Sequence, residues 1–542
     1  MIRNLKKKQI LVILLLAFLF TAMQVVGYQL SMHYRTSVHQ SEFFLNIGVL
    51  STGGAVLLAI VEYPVWCILL YVLTGLLDKV VPSERSYTPK QMQKIYPAVF
   101  FLLFLAWIPA FLAAYPGFYN YDAVNQVPQA LYPEVPYNAH HPLIHTLFMG
   151  KIIAFGYLQW GTLNAGIALH SLIQMLVSAA VFAYIICFLL KNTGRRLVAV
   201  VAFAYYAFFP VIAMFVLSTT KDTIFTLLLQ LCVMWIYEMF KDMPGFFSSK
   251  WKMGRLLAAM VFMCLFRNNG IYIVVCILPF VILLGKYYRK QCALLFLVII
   301  AGYFLLQKAL LYGLNATEGS AEEALSVPIQ QLTRVYYEHG ENAFEEEELD
   351  LIYEGISAQE LGAYNPFLSD NIKNVFDYRI VQDNKKDFLF LWLKKGMQYP
   401  GEYINAFLDN TYQAWYPGTS VYDVPGGDEM YYFAIKMCPG GDKDSKLPGL
   451  WDFYNRIATQ HYYQRIPVVR LLFSIGAMLW VAIFVCGYAY YRRNKALFVA
   501  LLVVLFCCCT ALLGPISLVR YYLILFFGFP VSIGFLFDKR IE

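Results

Sequence analysis

Charge is scarce in this sequence. Charged residues make up 14% of the chain and hydrophobic residues 59%. A soluble globular chain carries nearly twice that share of charge, and a surface so poor in charge does not stay in solution. The composition therefore excludes an ordinary soluble protein of 542 residues and makes lipid the solvent for much of the chain.

Several common signatures of metal binding and catalysis are also missing. Of the 11 cysteines, only Cys438 lies outside the apolar stretches, so no disulfide framework is possible in the polar part. No CxxC or Cys/His spacing indicates zinc, no P-loop indicates ATP-driven transport, and no GxSxG motif indicates a hydrolase. We therefore predict no metal site and no resident cofactor, leaving a divalent cation open.

Apolar runs near the length of a bilayer crossing predict an all-α polytopic membrane protein with about twelve transmembrane helices. Two of the runs, 252–267 and 270–286, are short and could form one re-entrant hairpin. Segment 143–158 is expected to lie along the outer surface without crossing. The runs fall at 9–29, 50–77, 96–114, 162–190, 197–217, 223–240, 252–267, 270–286, 292–312, 466–490, 496–514 and 518–537.

The basic residues predict the orientation, because cytosolic loops carry an excess of lysine and arginine. With a cytosolic N-terminus, every short loop assigned to the cytosol is basic and the opposite loops are nearly free of basic residues. We predict a multi-pass plasma-membrane protein with both termini in the cytosol. The predicted parts are a two-helix extension with a basic loop (1–95), a transmembrane core (96–312), an acidic extracytoplasmic domain of α-rich or mixed structure (313–465) and C-terminal transmembrane helices (466–542).

The loop after the third predicted span contains Asp122, a lone acid among aromatic residues close to the outer membrane face. Partial desolvation is expected to raise the pKa of this carboxyl, which suits a general base. Alternatively, Asp122 caps a helix that begins near Ala123. His140 and His141 follow in the same loop, where a hydrogen-bonding or phosphate-contacting role is favoured over a metal site.

Three further external loops carry charge. Lys221 and Asp222 begin a helix, where backbone N–H groups favour an anion, or they form a helix cap with a local ion pair. Arg267 lies between two short apolar helices, and Arg520 precedes Tyr521 at the outer start of the last span. Each arginine either binds the phosphate of a lipid substrate or snorkels to lipid headgroups as an interfacial anchor.

Together these loops resemble the GT-C superfamily of glycosyltransferases that use polyprenyl-phosphate sugars, which includes protein O-mannosyltransferases and the lipid A aminoarabinose transferase. The likeness is closest to a bacterial branch of polytopic membrane proteins and runs from about residue 96 onward. Each motif is short, and their order along the chain carries the resemblance. The matching segments are Tyr115 to Gln126, His140 to Pro142, Lys221-Asp222, Pro328 to Arg334, and Arg520 to Tyr522.

The resemblance implies a GT-C-like fold and a membrane glycosyltransferase that moves a sugar from a polyprenyl-phosphate donor to a glycan, lipid or protein acceptor of the cell envelope. Asp122 would act as base or orient the acceptor, and Asp222 would be the second catalytic acid. The lipid phosphate would contact basic and aromatic side chains at the outer face, namely His140, His141, Lys221, Arg267, Arg520 and Tyr521. The partners are thus the bilayer and the lipid-linked sugar, with no nucleic acid.

The sequence departs from the family pattern in two ways. The loop with Asp122 follows the third span and not the first, and Asp122 has no paired acid, which disfavours a metal-dependent mechanism. Two alternatives stay open: a non-enzymatic carrier or flippase for a lipid-linked glycan, and an envelope scaffold. A carrier should show inverted repeats or charges at the midplane, and a scaffold gives the charged loops no reason to converge.

Overall fold

The computed structural model describes residues 2–34, 49–81, 83–319, 325–419 and 441–538. In these residues the regular structure is helical, and β-structure is limited to two isolated bridges. The helices before residue 314 are α1 (Ile2–Tyr34), α2 (Thr52–Asp78), α3 (Pro89–Ala113), α4 (Tyr121–Leu131), α5 (Leu143–Trp160), α6 (Leu163–Thr193), α7 (Arg196–Phe208), α8 (Pro210–Val216), α9 (Lys221–Lys241), α10 (Met243–Phe247), α11 (Lys250–Phe266), α12 (Gly270–Leu284) and α13 (Arg289–Gly313).

Shorter helices follow, and then a second apolar group. The shorter helices are α14 (Ser326–His339), α15 (Glu346–Gly355), α16 (Ala358–Leu361), α17 (Asp370–Lys373), α18 (Tyr378–Asp383), α19 (Lys385–Gln398), α20 (Pro400–Trp415) and α21 (Pro448–Ala458). The apolar group is α22 (Pro467–Phe473), α23 (Ile475–Tyr491), α24 (Lys495–Ala511), α25 (Leu523–Phe527) and α26 (Phe529–Gly534), with 3₁₀ turns at Val519–Tyr522 and Phe535–Phe537.

Seven helical segments in the described part of the chain are long and apolar enough to cross a bilayer. Two bent pairs, α7–α8 at 59° and α22–α23 at 75°, raise the number to nine if each pair is one span. The structure thus confirms an all-α membrane protein, while the count of about twelve spans stays a prediction. The seven segments are Lys6–His33, Thr52–Asp78, Pro89–Ala113, Leu163–Thr193, Lys221–Lys241, Lys286–Gly313 and Val519–Phe537.

Three of the predicted spans are short helices. The runs at 252–267, 270–286 and 496–514 correspond to α11, α12 and α24, of 17, 15 and 17 residues. At 1.5 Å per residue these helices reach about 22–26 Å, slightly less than the roughly 30 Å hydrocarbon core. For residues 252–286, two crossings of the bilayer and one re-entrant hairpin stay alternative predictions.

The loops predicted to share the cytosol lie at one end of the helix bundle, here called the basic end. Arg492 lies 3.2 Å from the Asp78 carboxylate, and the Ser83 hydroxyl donates to the Gly194 carbonyl at 3.3 Å. The Lys241 ammonium donates to Asn192 at 2.9 Å. These contacts join loops far apart in sequence, as the charge pattern requires, while the compartment that this end faces stays a prediction.

The described residues form two main hydrophobic cores. The larger one is formed by the long apolar helices and includes Trp107, Phe182 and Phe526. The smaller one is formed by residues of α14 to α20, such as Val335 and Ile372. The boundaries 313–465 and the extracytoplasmic position of this domain stay predictions, and α20 also places Tyr412 in the larger core.

Helix α5, which begins at Leu143, forms a hairpin with the first half of α6. The rings of Phe148 and His170 lie 5.9 Å apart, and a side chain on Gly156 would overlap the backbone of Gly166. Glycine at both positions therefore lets the two helices approach closely. Helix α5 also packs against α11 and against α4, the helix that carries Asp122.

Candidate functional site

The loop with Asp122 and the turn with Lys221 are joined by backbone hydrogen bonds. The Phe118 N–H donates to the Leu217 carbonyl at 2.9 Å, and the Thr219 N–H donates to the Phe118 carbonyl at 3.0 Å. This short parallel bridge brings together residues about a hundred positions apart. It sets the first turns of α4 and α9 beside each other.

Gly117 makes the bridge possible. It has φ +125°, a conformation that L side chains rarely adopt, and a Cβ there would overlap the Ser171 hydroxyl. That hydroxyl donates to the Pro116 carbonyl at 3.1 Å, so Ser171 of α6 holds the loop in place. Glycine is required here on both conformational and steric grounds.

The Asp122 carboxylate lies between two cations. Its Oδ2 accepts a hydrogen bond from the Lys221 ammonium at 3.1 Å, and its Oδ1 lies 3.8 Å from an Arg520 guanidinium nitrogen. The capping role considered from the sequence is wrong, because α4 begins at Tyr121 and its N-cap residue is Asn120. The Asp122 side chain is 13% exposed, so a small polar group can still reach it.

The pKa of Asp122 differs from the expectation. Burial alone raises the pKa of this carboxyl, but the nearby charges of Lys221 and Arg520 outweigh burial and hold the pKa well below its usual range. The expected increase is therefore wrong. The sequence showed the desolvation but not the two cations, which come from loops distant in the chain.

His141 contacts the same lysine. Its Nδ1 lies 3.4 Å from the Lys221 ammonium, which can only donate, so Nδ1 accepts and the neutral ring carries its proton on Nε2. Burial and the Lys221 charge lower the pKa of His141 to about 4. His140 is exposed and contacts His141 edge to face, with ring centroids 4.8 Å apart.

The lowered pKa of His141 predicts a loss of stability in mild acid. In the unfolded chain the histidine is protonated below about pH 6.5, whereas in the folded protein it stays neutral down to about pH 4. The free energy of unfolding therefore falls as the pH decreases through this window. His141→Gln should reduce that fall by up to about 3 kcal/mol, measured as thermal unfolding in detergent at pH 7 and pH 4.5. An equal fall in the variant and the wild type would contradict the buried neutral imidazole.

Arg267 and Asp222 form a second ion pair, at the ends of α11 and α9. A guanidinium nitrogen of Arg267 donates to Asp222 Oδ1, and the Asp222 side chain is fully buried. The pair is not local, as a capping role for Asp222 would require, since it joins two helices. Among the described residues, Asp222 Oδ2 has no hydrogen-bond partner.

Tyr521 links the two arginines. The guanidinium carbons of Arg267 and Arg520 lie 4.7 and 4.9 Å from the centroid of its ring, within the range of cation–π attraction. Arg520 also donates to the Tyr521 hydroxyl at 3.1 Å. The four charged loops therefore meet in one group, here called the charged cluster: Asp122, His141, Lys221, Asp222, Arg267, Arg520 and Tyr521.

The sequence did not indicate one polar layer behind the cluster. His145, buried in α5, contacts Gln126 of α4 with 3.1 Å between Nδ1 and Oε1, and Gln126 donates to the Thr146 hydroxyl at 2.9 Å. The available signal was the spacing of His141 and His145, four residues apart. We find no group of three or more His, Cys, Asp or Glu side chains able to hold a metal ion in the part of the chain that the structure describes.

Comparison with known proteins gives one match. No curated protein and no solved structure matches the chain significantly. The family match begins at the last residue of α4 and ends with the last described residue, so it includes His141, Lys221, Asp222, Arg267 and Arg520 but not Asp122. By this match over residues 131–538, the chain belongs to the family described as a family of unknown function (DUF6020).

Proposed function

We propose that this protein is a membrane glycosyltransferase that moves a sugar from a polyprenyl-phosphate donor to an acceptor hydroxyl on the extracytoplasmic face. The observation that carries the proposal is the position of Asp122 between Lys221 and Arg520. A single reachable carboxylate beside an excess of fixed cations suits a reaction that removes one proton and releases a phosphate.

The cations supply the site for the phosphate. Three of them, Lys221, Arg267 and Arg520, face two carboxylates, which leaves one positive charge in excess. Arg520 Nε is buried and has no hydrogen-bond partner among the described residues. A buried donor of this kind is expected to have a partner, and a phosphate oxygen provides one with a charge-assisted bond.

The chemistry follows from these positions. The acceptor oxygen attacks the anomeric carbon while its proton passes to Asp122, and a new carbon–oxygen bond forms. The bond from the anomeric carbon to the phosphate oxygen breaks, and the bonding electrons leave with polyprenyl phosphate. Lys221 and Arg520 stabilise the charge that develops on that oxygen, and Asp222 positions Arg267.

Because the pKa of Asp122 is low, Asp122 can act as a base only when the donor is bound. A carboxylate paired with two cations accepts a proton poorly. When the donor phosphate binds, its negative charge offsets part of the charge of Lys221 and Arg520, and the proton affinity of Asp122 rises. Proton removal is thereby coupled to the presence of the donor.

A narrow, mostly apolar cleft lies beside the charged cluster, and we propose that the lipid chain leaves the site along it. Its walls include Leu143, Leu265, Leu310 and Leu311. Pro142 and Asn268, which directly follow His141 and Arg267 in sequence, also line it. This proximity supports a ligand with a phosphate head and a hydrocarbon tail.

The same pKa favours one alternative. A carboxylate held charged by two cations also fits a protein that only binds and moves a lipid phosphate. A carrier of this kind needs the arginines and Lys221 but not a base. Transfer of the sugar separates the two functions, because only the enzyme releases polyprenyl phosphate from the donor.

Binding of a C55 polyprenyl phosphate to the purified protein tests the phosphate site. Arg520→Ala should weaken binding about 10–100-fold, the value of one or two charge-assisted hydrogen bonds. Arg379→Ala is the matched control, because Arg379 is exposed and pairs only with the neighbouring Asp377 in the described structure. Equal affinity of the wild type and Arg520→Ala would remove the proposed phosphate site.

A further inference from the structure

Helices α14 to α20, which form the smaller hydrophobic core, are here called the smaller helical unit. Two segments of this unit hold the loop that precedes Arg520. Residues 512–518 connect α24 to the 3₁₀ turn Val519–Tyr522. The Ser369 N–H donates to the Pro515 carbonyl at 3.0 Å, and the Ser369 hydroxyl donates to the same oxygen at 3.3 Å. Ser369 directly precedes α17, so one side of the loop is fixed to that helix.

The second attachment is Asn410 on α20. Its side-chain amide donates to the Gly514 carbonyl at 3.1 Å, and the Ser517 hydroxyl donates to the Asn410 carbonyl at 3.3 Å. Asn410 and Ser517 are both buried, so water does not replace these bonds easily. The loop is thus fixed at Gly514, Pro515 and Ser517. The last of these attachment points, Ser517, lies three positions before Arg520.

The two attachment points belong to one rigid frame. Arg334 on α14 pairs with Asp409 at 2.6 Å and with Glu402 at 2.8 Å, which fixes α20 beside α14. Gln330, also on α14, donates to the Asn365 carbonyl at 2.6 Å and holds the segment that leads to Ser369. These contacts explain why the segment from Pro328 to Arg334, which the proposed chemistry leaves without a role, carries several polar residues.

We propose that Asn410 and Ser369 are positioning residues that set the Arg520 guanidinium against Asp122. Through them the smaller helical unit controls the geometry of the charged cluster. Any ligand that shifts this frame relative to α24 would move Arg520 by the same route. The inference rests on the proposed function only in its consequence for binding of the donor.

Hydrogen exchange of the full-length protein in detergent tests the positioning directly. In Asn410→Ala, peptides covering 514–522 should exchange about tenfold faster, because a lost hydrogen bond of about 1.4 kcal/mol has this effect on local opening. Ser517→Ala removes the reciprocal bond and should act in the same direction. Ser369→Ala should have the smallest effect, since its N–H still donates to Pro515.

The matched control is Asn371→Ala, which changes an exposed asparagine within α17 whose amide donates to the Ala363 carbonyl at 3.4 Å. It should leave exchange at 514–522 unchanged. Unchanged exchange there in both Asn410→Ala and Ser517→Ala would overturn the proposal. An equal rise throughout α14–α19 would also overturn it, because the residues would then stabilise the whole unit and not the loop.

Binding of a C55 polyprenyl phosphate supplies the functional measurement. Asn410→Ala should weaken it about tenfold with little change in melting temperature, since small displacements of a binding group reduce its effect strongly, and Asn371→Ala should match the wild type. If the wild type itself does not bind the lipid, the proposed function fails. The exchange data still decide whether Asn410 positions Arg520, so the two failures can be distinguished.

Discussion

Asp122→Asn is expected to reduce the rate of sugar transfer by about 10²–10⁴-fold. Asparagine keeps the shape of the side chain and can still accept a hydrogen bond from Lys221, so folding should stay near normal. What it loses is the ability to take the proton of the acceptor hydroxyl. The measurement is the release of polyprenyl phosphate from a polyprenyl-phosphate sugar by the purified protein.

Binding of the donor should respond in the opposite direction. Asp122 competes with the donor phosphate for Lys221 and Arg520, so its neutral replacement should bind polyprenyl phosphate at least as tightly as the wild type. If the protein is an enzyme with Asp122 as its base, Asp122→Asn should have a lower kcat and an unchanged or smaller KM. Asp452→Asn is the control, because Asp452 forms an exposed pair with Arg456 in the same chain. A fully active Asp122→Asn protein would refute the proposed base.

Arg267→Ala is expected to lower the free energy of unfolding by about 3–5 kcal/mol. The reason is that the Asp222 carboxylate is fully buried, and removing one partner of a buried pair leaves an uncompensated charge. Thermal or denaturant unfolding in detergent measures the loss. Arg379→Ala, at an exposed pair, should leave the stability nearly unchanged.

The double variant Asp222→Asn/Arg267→Ala isolates the cause. Because asparagine carries no charge, it should recover a large part of the stability lost in Arg267→Ala. Additive losses in the two single variants would show that the residues are not coupled. Arg267→Lys keeps the charge but not the planar fork, so it should retain more stability than alanine and still weaken donor binding.

The contrast between the two acids explains where sequence analysis stopped. Asp122 and Asp222 each lie in the first turn of a helix after a short polar loop, and the family resemblance implied catalytic roles for both. In the structure Asp122 stays reachable, whereas Asp222 is fully buried beside Arg267. Local sequence cannot distinguish these environments, because the burial of each carboxylate comes from helices distant in the chain.

Broken helices show a related limit. Hydropathy predicted one span at 466–490, but the chain bends by 75° between α22 and α23, at Ser474. The serine hydroxyl accepts a hydrogen bond from the Ala477 N–H and begins a new helix there. A 20-residue hydropathy average does not register a single capping serine, although the local pattern is typical of a helix start.

The sequence by itself determined the solvent of this protein, its helical class and the residues of the charged cluster. These properties depend on local composition: long apolar runs satisfy their backbone groups only as helices in lipid, and charges near their ends are costly without a purpose. Tertiary structure decided the pairing of Asp122 with Lys221 and Arg520, the direction of its pKa shift, and the attachment of the Arg520 loop to Ser369 and Asn410. Electrostatic and hydrogen-bonding energies depend on distances of a few ångströms between residues far apart in the chain, and only the packing of the helices sets those distances.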